Sequence, residues 1–247
     1  MKIISILNHK GGTGKTTSAL NIGAGLARLK RKTLLVDLDP QTNLTEGLGI
    51  RNTKVSIYNS IKNGSDLPIE HISEYLDLVP SSIDLLGAEL QLVSRENRET
   101  ILKDLLDIVK NQYEYIIIDC PPALGMLTIN ALVCSDTLLI PLEAEFYSYR
   151  GIDRMALFIT EVRTHYSKSL TIGGVFITRY NPRRLLTDQI TGNVKKHFNT
   201  KLFDTKIRVN VALAEAPVKG KDIFEYAPTS NGAIDYGKLV DEILIKI

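Results

Sequence analysis

The sequence predicts a doubly wound α/β fold, in which helices flank both faces of a mostly parallel sheet. Short apolar runs rich in β-branched residues alternate along the chain with longer amphipathic segments of helical period. The runs are apolar at nearly every position, which is typical of strands covered on both faces. This alternation implies right-handed crossovers between parallel strands.

Six short runs are predicted as strands, and the segments between them mainly as helices. The strands are residues 3–7, 33–37, 76–79, 115–119, 137–141 and 171–178. Residues 98–110 form the best-patterned helix, because their apolar side chains recur on one face. Residues 51–70 are polar and predict surface loops around a short helix.

Length and composition suit a single domain spanning residues 1–247. A chain of 247 residues, 44% of them apolar, can bury roughly 70% of its unfolded surface without disulfides. Cys120 and Cys134 stand in apolar runs without metal-ligand spacing, so we expect small buried side chains and a reducing cytoplasm. No leader and no membrane span are predicted, since every apolar run is far shorter than about 20 residues.

The first predicted strand runs into a glycine-rich loop that precedes a helical segment, residues 18–28. In this context backbone N–H groups and the helix dipole bind the phosphates of a nucleotide such as ATP. We expect Lys15 to reach the β- and γ-phosphates, Thr16 to ligate Mg²⁺ and Thr17 to donate to a phosphate oxygen. A chance glycine-rich turn is the alternative. The loop reads His9-Lys10-Gly11-Gly12-Thr13-Gly14-Lys15-Thr16-Thr17.

This loop departs from the strict G-x-x-x-x-G-K-[ST] pattern, because His9 stands at the first glycine position and Lys10 adds a second cation. The form K-G-G-x-G-K-T-T resembles the deviant Walker A box of the P-loop family that includes ParA, MinD and nitrogenase iron-protein relatives. Lys10 matches the signature lysine, which in that family crosses to the partner's nucleotide. The resemblance implies an ATP-bound homodimer whose hydrolysis depends on dimerisation. A solvated loop lysine is the alternative for Lys10.

Two acids follow the second predicted strand, in the order Asp37-Leu38-Asp39-Pro40-Gln41. Alternation places both carboxylates on one side, at the strand edge where α/β ligand sites form. The segment resembles the family's D-x-D-P-Q, in which the second acid orients the attacking water and the first lies nearer the metal. Asp39 is therefore the expected catalytic residue and Asp37 a metal-side residue. A turn-capping role is the alternative for either acid.

A third acid ends the most apolar strand, which reads Tyr115-Ile116-Ile117-Ile118-Asp119. This has the Walker B form, in which the carboxylate holds hydrated Mg²⁺ beside the phosphates. Thr16, Asp37 and Asp119 are thus the predicted metal residues, with ATP and Mg²⁺ as cofactors. The three motifs occur in the family's order and cover about half of the chain.

Adenine recognition is predicted from the position of one asparagine. Asn181, followed by Pro182, comes shortly after the strand at residues 171–178. The family commonly places Asn or Asp there against the base, so the resemblance makes Asn181 the expected contact. An ordinary Asn-Pro turn is the alternative.

Positive charge is concentrated in one part of the chain, although the net charge is only +2. Between residues 179 and 221, ten lysines or arginines stand against three acids. Such a cluster can neutralise DNA phosphates without reading bases, and dimerisation would double the contacts. For any one residue, a solvated surface charge is the alternative. The candidate DNA contacts are Arg179, Arg183, Arg184, Lys195, Lys196, Arg208, Lys219 and Lys221.

One departure from the family pattern bears on DNA binding. Small ParA proteins commonly read Pro-Arg-Asn-Val-Arg-Leu-Ser-Glu-Ala-Pro near residue 210, with arginine implicated in DNA contact. Val209 and Ala212 occupy the two arginine positions here, with Arg208 and Lys219 as possible substitutes. Weaker or rearranged DNA binding is therefore an open alternative.

The nucleotide motifs are shared by proteins with different functions, so other features must discriminate. A nitrogenase-type iron protein needs paired cluster cysteines, which the chain's two cysteines do not provide. A MinD-type membrane positioner needs a C-terminal helix with a basic face. Residues 236–247 contain only two lysines, with Asp241 and Glu242 between them, and predict a docked core helix instead.

The favoured hypothesis is a cytoplasmic, nucleoid-associated ATPase that partitions a plasmid or chromosome with a ParB-like stimulator. The phosphate-loop strand begins at Ile3, so we expect no N-terminal helix-turn-helix domain and no operator binding. A MinD-like membrane-associated positioner and a ParA-like positioner of non-DNA cargo are the alternatives.

Overall fold

A computed structural model describes residues 1–51, 53–143, 150–181 and 201–247. These residues form one eight-stranded sheet in the order β3-β4-β2-β5-β1-β6-β7-β8. Neighbouring strands run parallel, apart from β3, which pairs antiparallel with β4 at one edge. The strands are β1 (Lys2–Ile6), β2 (Thr33–Asp37), β3 (Glu70–Ser73), β4 (Leu76–Val79), β5 (Tyr115–Asp119), β6 (Thr137–Glu143), β7 (Thr171–Tyr180) and β8 (Leu202–Arg208).

Helices cover both faces of the sheet. Successive residues of a strand point to opposite faces, so Ile3 joins a buried cluster with α3 to α7, whereas Ile4 joins a second cluster with α1 and α10. The doubly wound α/β fold is therefore confirmed. The helices of the described ranges are α1 (Lys15–Arg28), α2 (Asn43–Gly47), α3 (Ile57–Asn63), α4 (Leu85–Leu92), α5 (Ile101–Val109), α6 (Met126–Cys134), α7 (Arg150–His165), α8 (Ala212–Glu215), α9 (Ile223–Tyr226) and α10 (Asn231–Lys246).

All six predicted strands are present, and β2, β4 and β5 have the predicted bounds. The strands β6 and β7 each continue two residues further than predicted. The sequence analysis missed β3 and β8, the two edge strands of the sheet. Both carry charged or polar side chains exposed to solvent, so neither has the uniformly apolar pattern of a central strand.

Register brings the ends of the three central strands level. Asp37 pairs with Asp119 across β2 and β5, and Asp119 pairs with Ile6 across β5 and β1. The loop that follows β1 therefore starts beside two carboxylates. Ligand sites of open α/β sheets form at this carboxyl edge.

The C-terminal helix α10 covers the edge strand β8. Glu242 accepts hydrogen bonds from the backbone N–H groups of Asp204 and Thr205, both at 2.9 Å. Asp235 accepts the backbone N–H of Arg208 at 2.9 Å and also binds its guanidinium. Two acids of one helix thus bind donors along the outer strand.

The predicted docking of the C-terminal helix is confirmed, because Tyr236, Leu239, Val240 and Ile243 are buried. Within the described ranges, no helix combines the length and apolarity needed to cross a membrane. Cys120 and Cys134 are buried free thiols, as predicted.

Close packing between β7 and β8 yields a stability prediction. A Cβ atom on Gly174 would lie 2.0 Å from Cε1 of Phe203, so Gly174→Ala forces the ring or the strand to move. We expect this change to lower the free energy of unfolding by about 2 kcal/mol through overpacking. Gly87→Ala in α4 is the control, because its methyl group meets only the end of Gln91 at 3.8 Å. We expect that change to raise stability by up to about 1 kcal/mol through helix propensity. Denaturant unfolding measures both, and equal effects would contradict the packing argument.

Candidate nucleotide site

The glycine-rich loop between β1 and α1 adopts a conformation that needs glycine at two positions. Gly12 has φ 78° and Gly14 has φ 85°, a region that side chains with a Cβ disfavour. A Cβ on Gly12 would meet no atom within 4 Å, so its constraint is the backbone angle. The loop is thus open on the side from which a phosphate would approach.

Hydrogen bonds to two strands, and one from within the loop, hold it in place. Asn8 donates from Nδ2 to the carbonyl of Pro141 at 2.7 Å and accepts the backbone N–H of Lys10 at 3.0 Å. The Thr178 hydroxyl at the end of β7 donates to the carbonyl of Thr13 at 2.8 Å. The loop shape is therefore fixed by Asn8 together with β6 and β7.

Helix α1 begins at the loop and directs its first turn into the cleft. No side chain of the described residues caps its first N–H groups, which leaves donors and the positive dipole end for an anion. Lys15 is only 6% exposed, and its Nζ donates to the carbonyl of Lys10 at 3.4 Å. Burial lowers the pKa of Lys15, although Asp119 and Asp39 oppose the shift.

Asp119 is completely buried, and neither carboxylate oxygen has a hydrogen-bond partner of normal geometry among the described residues. Burial raises its pKa well above the usual range, and Asp37 adds to the rise, whereas the Thr16 hydroxyl and Lys15 oppose it. An unpaired buried carboxylate is costly, so this acid fits a role beside a cation. In the described ranges, no three His, Cys, Asp or Glu side chains converge as a protein-only metal cage. This donor set suits Mg²⁺, which takes one or two carboxylates together with phosphate and water oxygens.

The carboxylate of Asp37, predicted on the metal side, accepts hydrogen bonds from the protein itself. Its Oδ2 accepts the backbone N–H and the hydroxyl of Thr45 at 2.9 and 2.6 Å, and its Oδ1 accepts the N–H of Asp39 at 3.2 Å. Burial raises the pKa of Asp37 to about 7, against these hydrogen bonds. Asp37 thus orders the β2–α2 connection, and its oxygens are less available to a metal than those of Asp119.

Asp39 lies in the cleft that contains the phosphate loop, as predicted from its place after β2. It is 6% exposed, and its Oδ1 accepts the N–H of Gln41 at 2.9 Å. The Ser81 hydroxyl donates to the Asp39 carbonyl at 2.7 Å. Its carboxylate therefore caps the following turn, and the residue also lines the cleft.

Two adjoining clefts meet at the loop. The first, about 390 Å³, contains the loop, Asp39 and Pro122. The second, about 460 Å³, contains Thr178, Arg179 and Asn210. One side suits phosphates and the other a nucleoside. Residues shared by the two are Gly12, Gly14, Thr17, Leu213 and Ala214.

The second cleft contains an asparagine that the sequence analysis did not consider as a binding residue. Asn210 lines it, and its Oδ1 is buried without a hydrogen-bond partner among the described residues. Asn181, predicted to contact adenine, is half-buried and does not line either cleft. The segment around Asn210 was recognised by its family pattern, but only the topology brings it beside β7.

Lys10 and Arg179 share one buried acid. Glu143, at the end of β6, binds Lys10 Nζ through Oε2 at 3.4 Å and Arg179 Nη1 through Oε1 at 3.2 Å. Arg179 has φ 50°, an uncommon conformation for a non-glycine residue, and lines the second cleft. Arg179 therefore lies beside the nucleotide site, and its side chain is still 63% exposed.

The other predicted DNA contacts differ in their surroundings. Arg208 is neutralised by Asp235, with Nε and Nη2 at 2.9 and 2.6 Å from its two oxygens. Lys221 pairs with Glu225 at 2.6 Å, whereas Lys219 is exposed with no ion pair to the described residues. Arg183, Arg184, Lys195 and Lys196 lie outside the described residues.

Comparison with known proteins agrees with this geometry. A family model described as an AAA domain matches residues 1–172. The sporulation initiation inhibitor protein Soj of Bacillus subtilis is 45% identical over 248 residues, with 98% of each chain covered. The chromosome partitioning protein ParA of Myxococcus xanthus is 41% identical over 250 residues, covering 98% of this chain and 88% of that one.

A solved structure with this fold contains a nucleotide and a metal. Cobyrinic acid a,c-diamide synthase from Mycobacterium smegmatis, with bound ATP analog and magnesium, has a TM-score of 0.87 at 30% identity. The match covers 99% of this chain and 94% of that one. Its activity differs from partitioning, so the fold alone does not decide function. On the family model and on relatives that match nearly its whole length, the chain belongs to the ParA/Soj family of P-loop partition ATPases.

Proposed function

We propose that this chain is a Mg²⁺-dependent ATPase whose ATP-bound homodimer binds DNA non-specifically and partitions a plasmid or chromosome with a ParB-like stimulator. The observation that carries the proposal is the buried pair Lys15 and Asp119 at the open end of α1. A ligand that brings both phosphate and metal charge complements this pair. The relatives named for chromosome partitioning and sporulation control support the cellular role.

Each residue of the site has a distinct part in this chemistry. The N–H groups of the loop and of Thr17 bind phosphate oxygens, and Lys15 stabilises charge at the β- and γ-phosphates. Thr16 and Asp119 would hold Mg²⁺. Asp37 would order the neighbouring β2–α2 connection. Bound Mg²⁺ supplies neutralisation of the phosphate charge. Asp39 orients the attacking water, and Oδ1 of Asn210 accepts a hydrogen bond from the adenine amino group.

Lys10 acts across the dimer in this proposal. Within one chain it binds Glu143 at 3.4 Å, so it must exchange that ion pair for the partner's nucleotide. A further cation at the transferring phosphoryl group stabilises the transition state in a site that excludes water. Hydrolysis then depends on dimerisation, because neither chain alone has the complete set of charges.

Variants of the loop and of Asp39 test the ATPase. Lys15→Ala is expected to abolish productive binding of ATP, because the buried cation beside the phosphates is lost. Asp39→Ala is expected to bind ATP but to lower kcat by at least about 100-fold, which traps a dimer. Phosphate release and sedimentation with ATP or ADP measure these effects. Normal turnover in Asp39→Ala would remove its catalytic role.

The function of Lys10 is tested separately. Lys10→Ala is expected to retain most of the affinity for ATP while kcat falls, because its contact is made only in the reacting dimer. Mixing Lys10→Ala with Lys15→Ala chains distinguishes action in trans from action in cis. If a stable Lys10→Ala dimer hydrolyses ATP at the normal rate, the trans assignment is wrong.

DNA binding is tested in the trapped Asp39→Ala protein. ATP, but not ADP, is expected to produce salt-sensitive binding to non-specific duplex DNA, and Lys219→Ala should lower the salt slope by about 1. Arg208→Ala is the contrasting variant. It should lower the free energy of unfolding by about 2 kcal/mol through loss of the Asp235 pair, rather than lower the salt slope. Anionic vesicles are the second probe. Binding to vesicles and not to DNA would favour the membrane positioner, and binding to neither would leave only the ATPase.

A further inference from the structure

Glu143 is a nearly buried acid that binds two cations at the edge of the nucleotide site. Its Oε2 lies 3.4 Å from Nζ of Lys10, and its Oε1 lies 3.2 Å from Nη1 of Arg179. The Glu143 side chain is only 9% exposed, whereas those of Lys10 and Arg179 are 34% and 63% exposed. The acid is thus fixed within the protein, and the two cations are the partners that can move.

Strands β6 and β7 place Glu143 beside the phosphate loop. Two residues earlier on β6, the carbonyl of Pro141 accepts a hydrogen bond from Nδ2 of Asn8 at 2.7 Å. Glu143 itself pairs across the sheet with Thr178, whose hydroxyl donates to the carbonyl of Thr13 at 2.8 Å. The two strands that hold the loop therefore also hold the acid next to it.

The two cations lie on different sides of the site. Lys10 immediately precedes Gly11, which lines the first cleft, and its carbonyl accepts a hydrogen bond from Nζ of the buried Lys15. Arg179 lines the second cleft with φ 50°, a conformation that persists only where the surroundings impose it. Lys10, Glu143 and Arg179, named here the charge cluster, thus reach both clefts. Two cations and one acid give the cluster a net charge of +1.

Both ion pairs of the charge cluster are open to exchange. Their distances of 3.4 and 3.2 Å exceed the roughly 2.7–2.9 Å of a strong charge-assisted hydrogen bond. A buried acid that loses its sole partner is strongly destabilising. Because Glu143 has two partners, either cation can turn toward an anion while the other remains on the acid. The cluster therefore suits reversible exchange between carboxylate and phosphate oxygens.

The fixed charge of Glu143 opposes nucleotide binding. A nucleotide brings several negative charges to the loop, which the cations of the cluster attract and the carboxylate repels. Glu143 is buried, so it cannot turn away into solvent. One unit of charge in a partly screened site changes the affinity for such a polyanion by on the order of fivefold. An opposing charge of this size shortens the time for which the product ADP stays bound.

We infer that Glu143 sets the affinity of the site for nucleotide and thereby speeds the release of ADP, with Arg179 as its balancing cation. Arg179 then acts on the nucleotide through the charge of the cluster, and not through a direct contact. The inference rests on the ATP site of the proposed function and needs neither the dimer nor DNA binding.

Removing the charge of Glu143 tests the inference. Glu143→Gln keeps the shape of the side chain and raises the net charge of the cluster to about +2. Titration calorimetry with ADP and Mg²⁺ at low salt is expected to show binding about fivefold tighter, and stopped-flow release of a fluorescent ADP should slow by a similar factor. A merely structural role of Glu143 predicts weaker binding, so the sign of the change decides.

Glu114→Gln is the matched control. Glu114 pairs with Arg31 at 2.9 Å and precedes β5, at the opposite end of the strands from the phosphate loop. The same loss of charge at this position is expected to leave the affinity for ADP unchanged.

Variants of Arg179 test the balance of charge. Arg179→Ala is expected to weaken ADP binding about fivefold, and Arg179→Ala with Glu143→Gln should return to the wild-type affinity, because the net charge of the cluster is restored. A direct contact between Arg179 and the nucleotide predicts instead that the double variant stays as weak as Arg179→Ala. Arg179→Glu should weaken binding further, again without changing the buried acid.

Several outcomes would overturn the inference. They are unchanged or weaker ADP binding by folded Glu143→Gln, and a double variant without recovery. Thermal unfolding without nucleotide shows whether each variant folds. If Glu143→Gln does not fold, the exposed position 179 decides, and equal losses in Arg179→Ala and Arg179→Glu would reject the role of charge. A wild-type chain that binds no ADP would instead contradict the nucleotide site of the proposed function.

Discussion

The register of three parallel strands is the constraint on which the nucleotide site depends. Asp37, Asp119 and Ile6 lie level across β2, β5 and β1, so one acid is placed beside another and both beside the start of the phosphate loop. A shift of one residue in β5 would turn Asp119 to the opposite face of the sheet. The core on both faces resists such a shift, because every central strand alternates between two buried clusters. Packing far from the cleft therefore sets the distances within it.

Electrostatic energy at this edge is unfavourable for the protein alone. Burial lowers the pKa of Lys15 and raises those of Asp37 and Asp119, so each charged form is destabilised by desolvation. A bound metal-nucleotide complex supplies the missing opposite charges. Affinity and protonation are then linked, and a ligand that binds only the folded chain also stabilises the fold. Ligand binding at this site and the stability of the fold are therefore coupled in this protein.

Much of this structure can be predicted from sequence, but only where a residue's neighbours in the chain determine its environment. The central strands are buried on both sides, so their sequences are apolar at nearly every position. The phosphate loop is recognised from its own glycine-rich sequence. Edge strands β3 and β8 lack the uniformly apolar pattern because part of each strand is exposed to solvent. The environment of Arg208 depends on Asp235, which is distant in sequence, so nothing near Arg208 in the chain indicates the ion pair that this candidate DNA contact makes. Likewise, nothing near Asp37 in the sequence indicates that Thr45 occupies its oxygens.

Helix α10 has a consequence for how the molecule behaves among other proteins. An unprotected edge strand exposes a row of amide donors to which any extended chain can add. Glu242 and Asp235 accept donors along β8, so this side of the sheet has fewer free amides to offer. Through its last helix, the protein reduces its tendency to join other chains irreversibly by strand addition.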